Sequence, residues 1–152
     1  MSAEKKLEEL GIALPAPPQP AGAYTRAVRH GELVFVAGQL PMEEGKVKYL
    51  GKVGRELDLD AGYKAARLCA LNALSVLRAE LGSLDRVVRI LRVAGFVASA
   101  EGFTAQPKVV NGASELLHQV LGERGVHARL AVGVSELPLG AAVELEVTAA
   151  VE

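Results

Sequence analysis

The chain has no tryptophan, one cysteine and only three tyrosines and three phenylalanines among 152 residues. A lone thiol, Cys69, cannot close an intrachain disulfide. A domain of this length needs no such staple, because it can withdraw roughly 68 to 70% of its unfolded surface from water. The scarcity of rings removes the stacking platform that a base or a flat cofactor uses, which points to a small polar ligand. Charge of one sign is also missing: 17 Lys and Arg stand against 18 Asp and Glu. The basic excess that neutralises phosphates is absent, so a nucleic-acid partner is not expected. No apolar run approaches the ~20 residues that span a bilayer. The N-terminus, with Lys5, Lys6, Glu8 and Glu9 among scattered apolar residues, lacks a signal-peptide stretch. These absences predict a cytoplasmic protein with no membrane partner. His30, His118 and His127 have no paired ligand spacing and there is no phosphate-binding glycine loop, so neither metal nor cofactor is expected.

What is present is a 50% hydrophobic chain whose core must come from Ala, Val and Leu, side chains that favour close packing of helix on sheet. Residues 1–19 read as a short surface helix, Ala3 to Leu10, and a lead-in stiffened by Pro15, Pro17 and Pro18. Residues 20–152 read as a single domain. Tyr24 to Arg29 and Leu33 to Ala37 form a hairpin around Gly31. A helix runs from the caps Asp58 or Asp60 to Leu81 and stops at Gly82, with Tyr63, Ala66, Ala70, Leu74, Leu77 and Leu81 spaced to cover a sheet. Val87 to Ala98 is a strand with Arg89 and Arg92 exposed. A second helix starts near Pro107 and closes at Gly122. His127 to Ser135 and Val143 to Val151 are strands joined by a turn around Pro138. Two helices on one face leave the other face of the sheet bare, which implies closed self-association.

Arg129 is the most informative residue, because every other member of Ala128 to Ser135 is small or apolar. A guanidinium costs several kcal/mol to bury unpaired, so it needs an acid or a bound anion. Salt bridging and snorkelling to water compete with anion binding at this point. Glu144 and Glu146 share one strand face, with Val143, Leu145 and Val147 on the other. Glu146 reads as solvated. Glu144 becomes an acid/base candidate if Arg129 lies nearby. Cys69, among Leu68, Ala70 and Leu71, reads as an inert buried thiol. Gly38 reads as a backbone-geometry requirement, Asn111 as a first-turn helix residue with a local hydrogen bond, and Tyr24 as either packing or site.

Ala128-Arg129-Leu130, then Leu137-Pro138, then Val143-Glu144-Leu145-Glu146, together with Ala21 to Tyr24 and Phe35-Val36-Ala37-Gly38-Gln39-Leu40-Pro41, resemble the YjgF-like reactive intermediate deaminase (RidA) family. The resemblance covers roughly Pro20 to Val151. It implies an α+β, chorismate-mutase-like fold with a mixed sheet and two main helices on one face. It also implies a homotrimer with sites in the clefts between subunits, and cofactor-independent hydrolysis of enamine and imine acids to 2-keto acids and ammonia. On that pattern Arg129 grips a substrate carboxylate, Glu144 positions or activates water, Tyr24 and Gly38 line the cleft, and Asn111 joins the substrate-binding set. The chain departs from the pattern at Leu130-Ala131, where Ser-Cys is usual, at His127 in place of Pro, and at Ser114 in place of an aromatic residue. With its N-terminal extension and its long Gly45 to Asp58 segment it resembles a longer subgroup. Two alternatives stand beside the deaminase: a non-catalytic trimer that binds small carboxylates, and an endoribonuclease or translation inhibitor supported only by Lys46, Lys48, Lys52 and Arg55.

Overall fold

The computed structural model describes all 152 residues. The elements follow in the order α1 (Ala3–Glu9), β1 (Ala27–His30), β2 (Leu33–Gln39), β3 (Met42–Glu43), β4 (Lys46–Val47), α2 (Leu59–Leu81), β5 (Val87–Ala98), α3 (Gln106–Leu121), β6 (Ala128–Val134) and β7 (Val143–Val151). Local chemistry sets most of these limits. Asp58 caps α2 by accepting from the Ala61 amide, and Gly82 ends it in the left-handed region, which a residue without Cβ enters cheaply. Gly31, at φ 60, lets His30 pair directly with Leu33 across a two-residue turn.

The main sheet has the order β1-β2-β7-β5-β6. Only β5 and β6 are parallel; the other neighbours are antiparallel. The fold is therefore α+β with a mixed sheet. The turn at Pro138 does not make β6 and β7 neighbours, because the twelve-residue β5 lies between them and pairs with both. β6 is left as an edge strand. The exposure of both Arg89 and Arg92, which a regular two-residue period forbids, follows from irregularities in the β5–β7 register at Val87/Arg89 and Ile90/Arg92.

Helices α2 and α3 cover one face, over a core that includes Leu74, Leu77, Leu116, Leu117, Ile90 and Leu145. Each such side chain contributes about 1.5–3 kcal/mol when removed from water. Two glycines bring the layers together. A Cβ on Gly95 of β5 would lie 2.6 Å from Val110, and one on Gly112 of α3 would lie 2.9 Å from the Tyr63 carbonyl carbon of α2. Tyr63 faces α3 instead of the sheet, and its hydroxyl donates to Glu115. The first helix is more than a surface element. Ala3 and Leu7 are buried, and Asp85 holds its start by accepting from the Ser2 hydroxyl at 2.8 Å and the Ala3 amide at 2.6 Å.

The opposite face is bare. Val28, Phe35 and Val132 lie on it, 55%, 49% and 41% exposed, beside the Arg92–Glu146 ion pair at 3.4 Å. Cys69 is fully buried and its thiol is pushed well above the usual range by that burial and by the charge of Glu144. No helix is long and apolar enough to cross a membrane.

Candidate functional site

Arg129 leaves the β6 edge on the helix side of the sheet, in register with Val93. Its Nη1 donates to Ser114 Oγ at 3.1 Å and its Nη2 to the Pro107 carbonyl at 3.0 Å. Both partners are neutral, and no carboxylate pairs with the guanidinium. The half-buried cation therefore keeps its charge and part of its N–H fork for an anion. It borders an open groove of about 330 Å³. One wall is a polar stripe along α3, Asn111, Ser114, Glu115 and His118, at helical spacings of three and four. The other holds His127.

The contacts of His127 assign its tautomer. Nδ1 lies 2.6 Å from the Gly125 carbonyl and Nε2 lies 2.9 Å from Ser114 Oγ. A carbonyl only accepts, so the proton sits on Nδ1 and the bare Nε2 accepts from the serine hydroxyl. Burial first, and then the charge of Arg129, lower the imidazole pKa against the raising effect of the Gly125 hydrogen bond. Asn111 lies in the second turn of α3, and its side chain makes no local hydrogen bond; it lines this groove, contrary to the first-turn expectation.

Glu144 occupies a second groove. It projects from β7 on the bare face, opposite Phe96, among Tyr24, Gly38, Pro138 and Thr148. Burial first, then Glu146, raises its pKa. Such a carboxyl is suited to exchanging a proton nearer neutrality than an exposed one. Gly38 serves Glu144 by taking up no room. Its φ is not positive, so no special backbone angle demands glycine here, but a Cβ would strike the Glu144 carboxylate, 3.1 Å from Cδ. Tyr24 is 53% exposed, and its hydroxyl accepts from the Ala21 amide. Tyr24, Gly38 and Glu144 thus share one groove and Arg129 and Asn111 the other, and within one chain the sheet separates them.

Comparison with known proteins decides the family. Residues 4–150 match the family described as "YjgF/chorismate mutase-like, putative endoribonuclease". The chain belongs to the YjgF family. Protein TCP17 of Trypanosoma cruzi is 47% identical over 141 residues, 92% of this chain and 88% of that one. Among solved structures, the Agrobacterium tumefaciens protein Atu1372, of unknown function, superposes with a TM-score of 0.92 at 44% identity, covering 99% of this chain and 92% of that one. A "putative endoribonuclease" from Shewanella oneidensis gives a TM-score of 0.96 at 30% identity, covering 99% and 100%. The YjgF-family chain has a split β-α-β arrangement, in which β7 is inserted between β2 and β5.

In the sequence Ser114 and His127 stand as departures from the YjgF pattern, and His127 also among the histidines without ligand spacing; nothing local joins the two, because the contact depends on where β6 passes α3. Glu115 and His118 were missed as groove residues. Their signal was the polar stripe at 111, 114, 115 and 118, which by itself reads as a solvated helix face.

Proposed function

We propose that this YjgF-family chain is a cofactor-independent hydrolytic deaminase of small enamine and imine acids, working as a homotrimer. The observation that carries the reading is Arg129: a half-buried guanidinium held by two neutral acceptors, with no acid paired to it and a groove alongside. A 2-imino acid places its electrophilic carbon next to the carboxylate such a fork would hold. Hydrolysis then needs only an oriented water and a proton shuttle.

The division of the candidate residues supports a site shared between chains. In this reading Arg129 and Asn111 of one protomer face Tyr24, Gly38 and Glu144 of its neighbour across a cleft. The apolar residues on the bare face supply the area for that assembly. Glu144, with its raised pKa, is the group assigned to water.

The test is release of 2-keto acid from a freshly generated imino acid. Acceleration over buffer that Arg129→Ala abolishes supports the reading; no acceleration, or equal acceleration by the variant, rejects it. The second reading, a carboxylate-binding trimer without turnover, is favoured by one observation, Leu130-Ala131 standing after Arg129 where the family pattern has Ser-Cys. It predicts that a 2-keto acid raises Tm with no consumption of imine. The endoribonuclease reading, suggested by the names relatives carry, gains little from the basic segment. Lys48, Lys52 and Arg55 are ion-paired with Glu43, Glu136 and Glu56, which leaves Lys46 alone for phosphate.

A further inference from the structure

We infer that Ser114 is a His127-activated nucleophile, giving this chain an acyl-transfer activity on small esters and thioesters. The proposal goes beyond imine hydrolysis: it uses the groove beside Arg129 and Asn111 but a different nucleophile and base. Three contacts build the constellation. Ser114 Oγ donates to His127 Nε2 at 2.9 Å, the His127 Nδ1 proton is anchored on the Gly125 carbonyl at 2.6 Å, and Arg129 Nη1 donates to the same Oγ at 3.1 Å. Nucleophile, base and orienting group are thus in hydrogen-bond contact, the arrangement that activates a serine hydroxyl. The backbone carbonyl does the orienting that a carboxylate does elsewhere, fixing the imidazole in the tautomer that can take a proton.

The surroundings agree. The pair lines an open groove of about 330 Å³ in which Val126 is the one hydrophobic residue, so the acyl group it admits is small. Arg129 is fixed within reach of the charge that develops beside Oγ as it attacks, where a preoriented donor is worth most. Glu115 and His118 face the same groove, but neither hydrogen-bonds to Ser114, which leaves His127 as its base.

The chemistry closes without a co-reactant other than water. Oγ forms a bond to the acyl carbon and passes its proton to His127 Nε2. The bond from that carbon to the leaving oxygen or sulfur breaks, and the leaving group takes the proton from Nε2. Water then attacks the acyl-serine, giving its proton to Nε2, and the Ser114 oxygen recovers that proton as the acid departs.

The experiment treats the full chain with p-nitrophenyl acetate, which has neither imine nor carboxylate, so its outcome is independent of deaminase activity. The expected result is nitrophenol release above buffer with one acetyl group per chain, mapped by mass spectrometry to the peptide bearing Ser114. Ser114→Ala abolishes the adduct, and His127→Gln, which keeps a hydrogen bond but cannot serve as base, slows its formation by about a hundredfold or more. Labelling of the unaltered chain and its pH profile need no variant to fold: acylation rises with pH as His127 deprotonates, with a midpoint below the ordinary imidazole value. No nitrophenol release above buffer, an adduct at another residue, or an undiminished rate in folded His127→Gln overturns the proposal.

Discussion

Arg129 and Glu144 project from opposite faces of one sheet: Arg129 shares the side of Val93 beneath α3, and Glu144 shares the side of Phe96, which no helix covers. No rotamer change brings a guanidinium and a carboxylate together through a hydrogen-bonded sheet. If both act on one substrate, they come from different protomers.

Subunit mixing tests this. Arg129→Ala and Glu144→Gln are each expected to lose turnover. Unfolding and refolding the two variants together restores about a quarter of the sites under random pairing in a closed ring, since an active cleft then needs an intact Arg129 from one protomer and an intact Glu144 from the next. Recovery of keto-acid release in the mixture, and none in either variant alone, is the expected outcome. A mixture as inactive as its components places the two residues in separate sites.

Gly38→Ala addresses the glycine beneath Glu144. The added methyl would meet the Glu144 carboxylate. Half-buried and unbonded, that side chain can swing away at a cost within the roughly 1–3 kcal/mol of ordinary overpacking. Turnover is expected to fall more than stability does. In the Glu144→Ala background the same substitution meets nothing, so its stability cost largely vanishes and a double-mutant cycle shows coupling of about 0.5–3 kcal/mol. Equal costs in both backgrounds would assign Gly38 a purely backbone role.

The pH dependence of stability carries two opposite slopes. Unfolded, His127 titrates near 6.5; in the fold burial and Arg129 lower that value. Between the lowered value and 6.5 the unfolded state binds more protons, so stability rises with pH, is fully present above 6.5 and is lost on acidification. Glu144, raised from 4.5 by burial, acts in reverse: above 4.5 the native state holds the extra proton and stability falls as pH climbs to the raised value. Thermal melts from pH 4 to 8 measure the sum. His127→Gln is expected to remove the part of the rising limb nearest 6.5, leaving the rise at lower pH from the lowered carboxyls of Glu56 and Asp85, and a melt profile unchanged by that substitution contradicts the lowered imidazole.

Much of the architecture was legible because its signals are local. The β-branched run at Val87 to Ala98, the alternation at Val143 to Val151 and the stop at Gly82 each act within a few residues, and those elements fall where the pattern puts them. The insertion of β5 between β6 and β7 was not legible, since strand order depends on which edge a crossover reaches. Nor was the side of the sheet each functional residue takes. Arg129 stands out chemically in its strand, but its face is set by register with Val93, a partner 36 positions earlier. The Ser114–His127 contact is of the same kind: 13 residues apart, it depends on Gly125, where a Cβ would lie 2.6 Å from the Leu117 carbonyl carbon, packing the segment before β6 against α3.

The helix crossing at Gly112 offers a stability test of the scaffold that carries the site. A Cβ there would sit 2.9 Å from the Tyr63 carbonyl carbon and 3.3 Å from the Arg67 amide nitrogen, both backbone atoms that cannot rotate aside. The helices must part, loosening Val109, Val110 and Ala113 and stretching the Tyr63–Glu115 hydrogen bond. Gly112→Ala is expected to cost at least about 2–3 kcal/mol, the upper end of overpacking. Gly31→Ala serves as the control: Gly31 has open space around it and a φ of 60, so only the left-handed strain of roughly 1–2 kcal/mol applies. Urea titration measures both, with the m-value showing whether the folded state stays compact. A Gly112→Ala cost no greater than that of Gly31→Ala would mean that α2 and α3 are not held in backbone contact, and the placement of Ser114 and Asn111 along α3 would have to be revised with them.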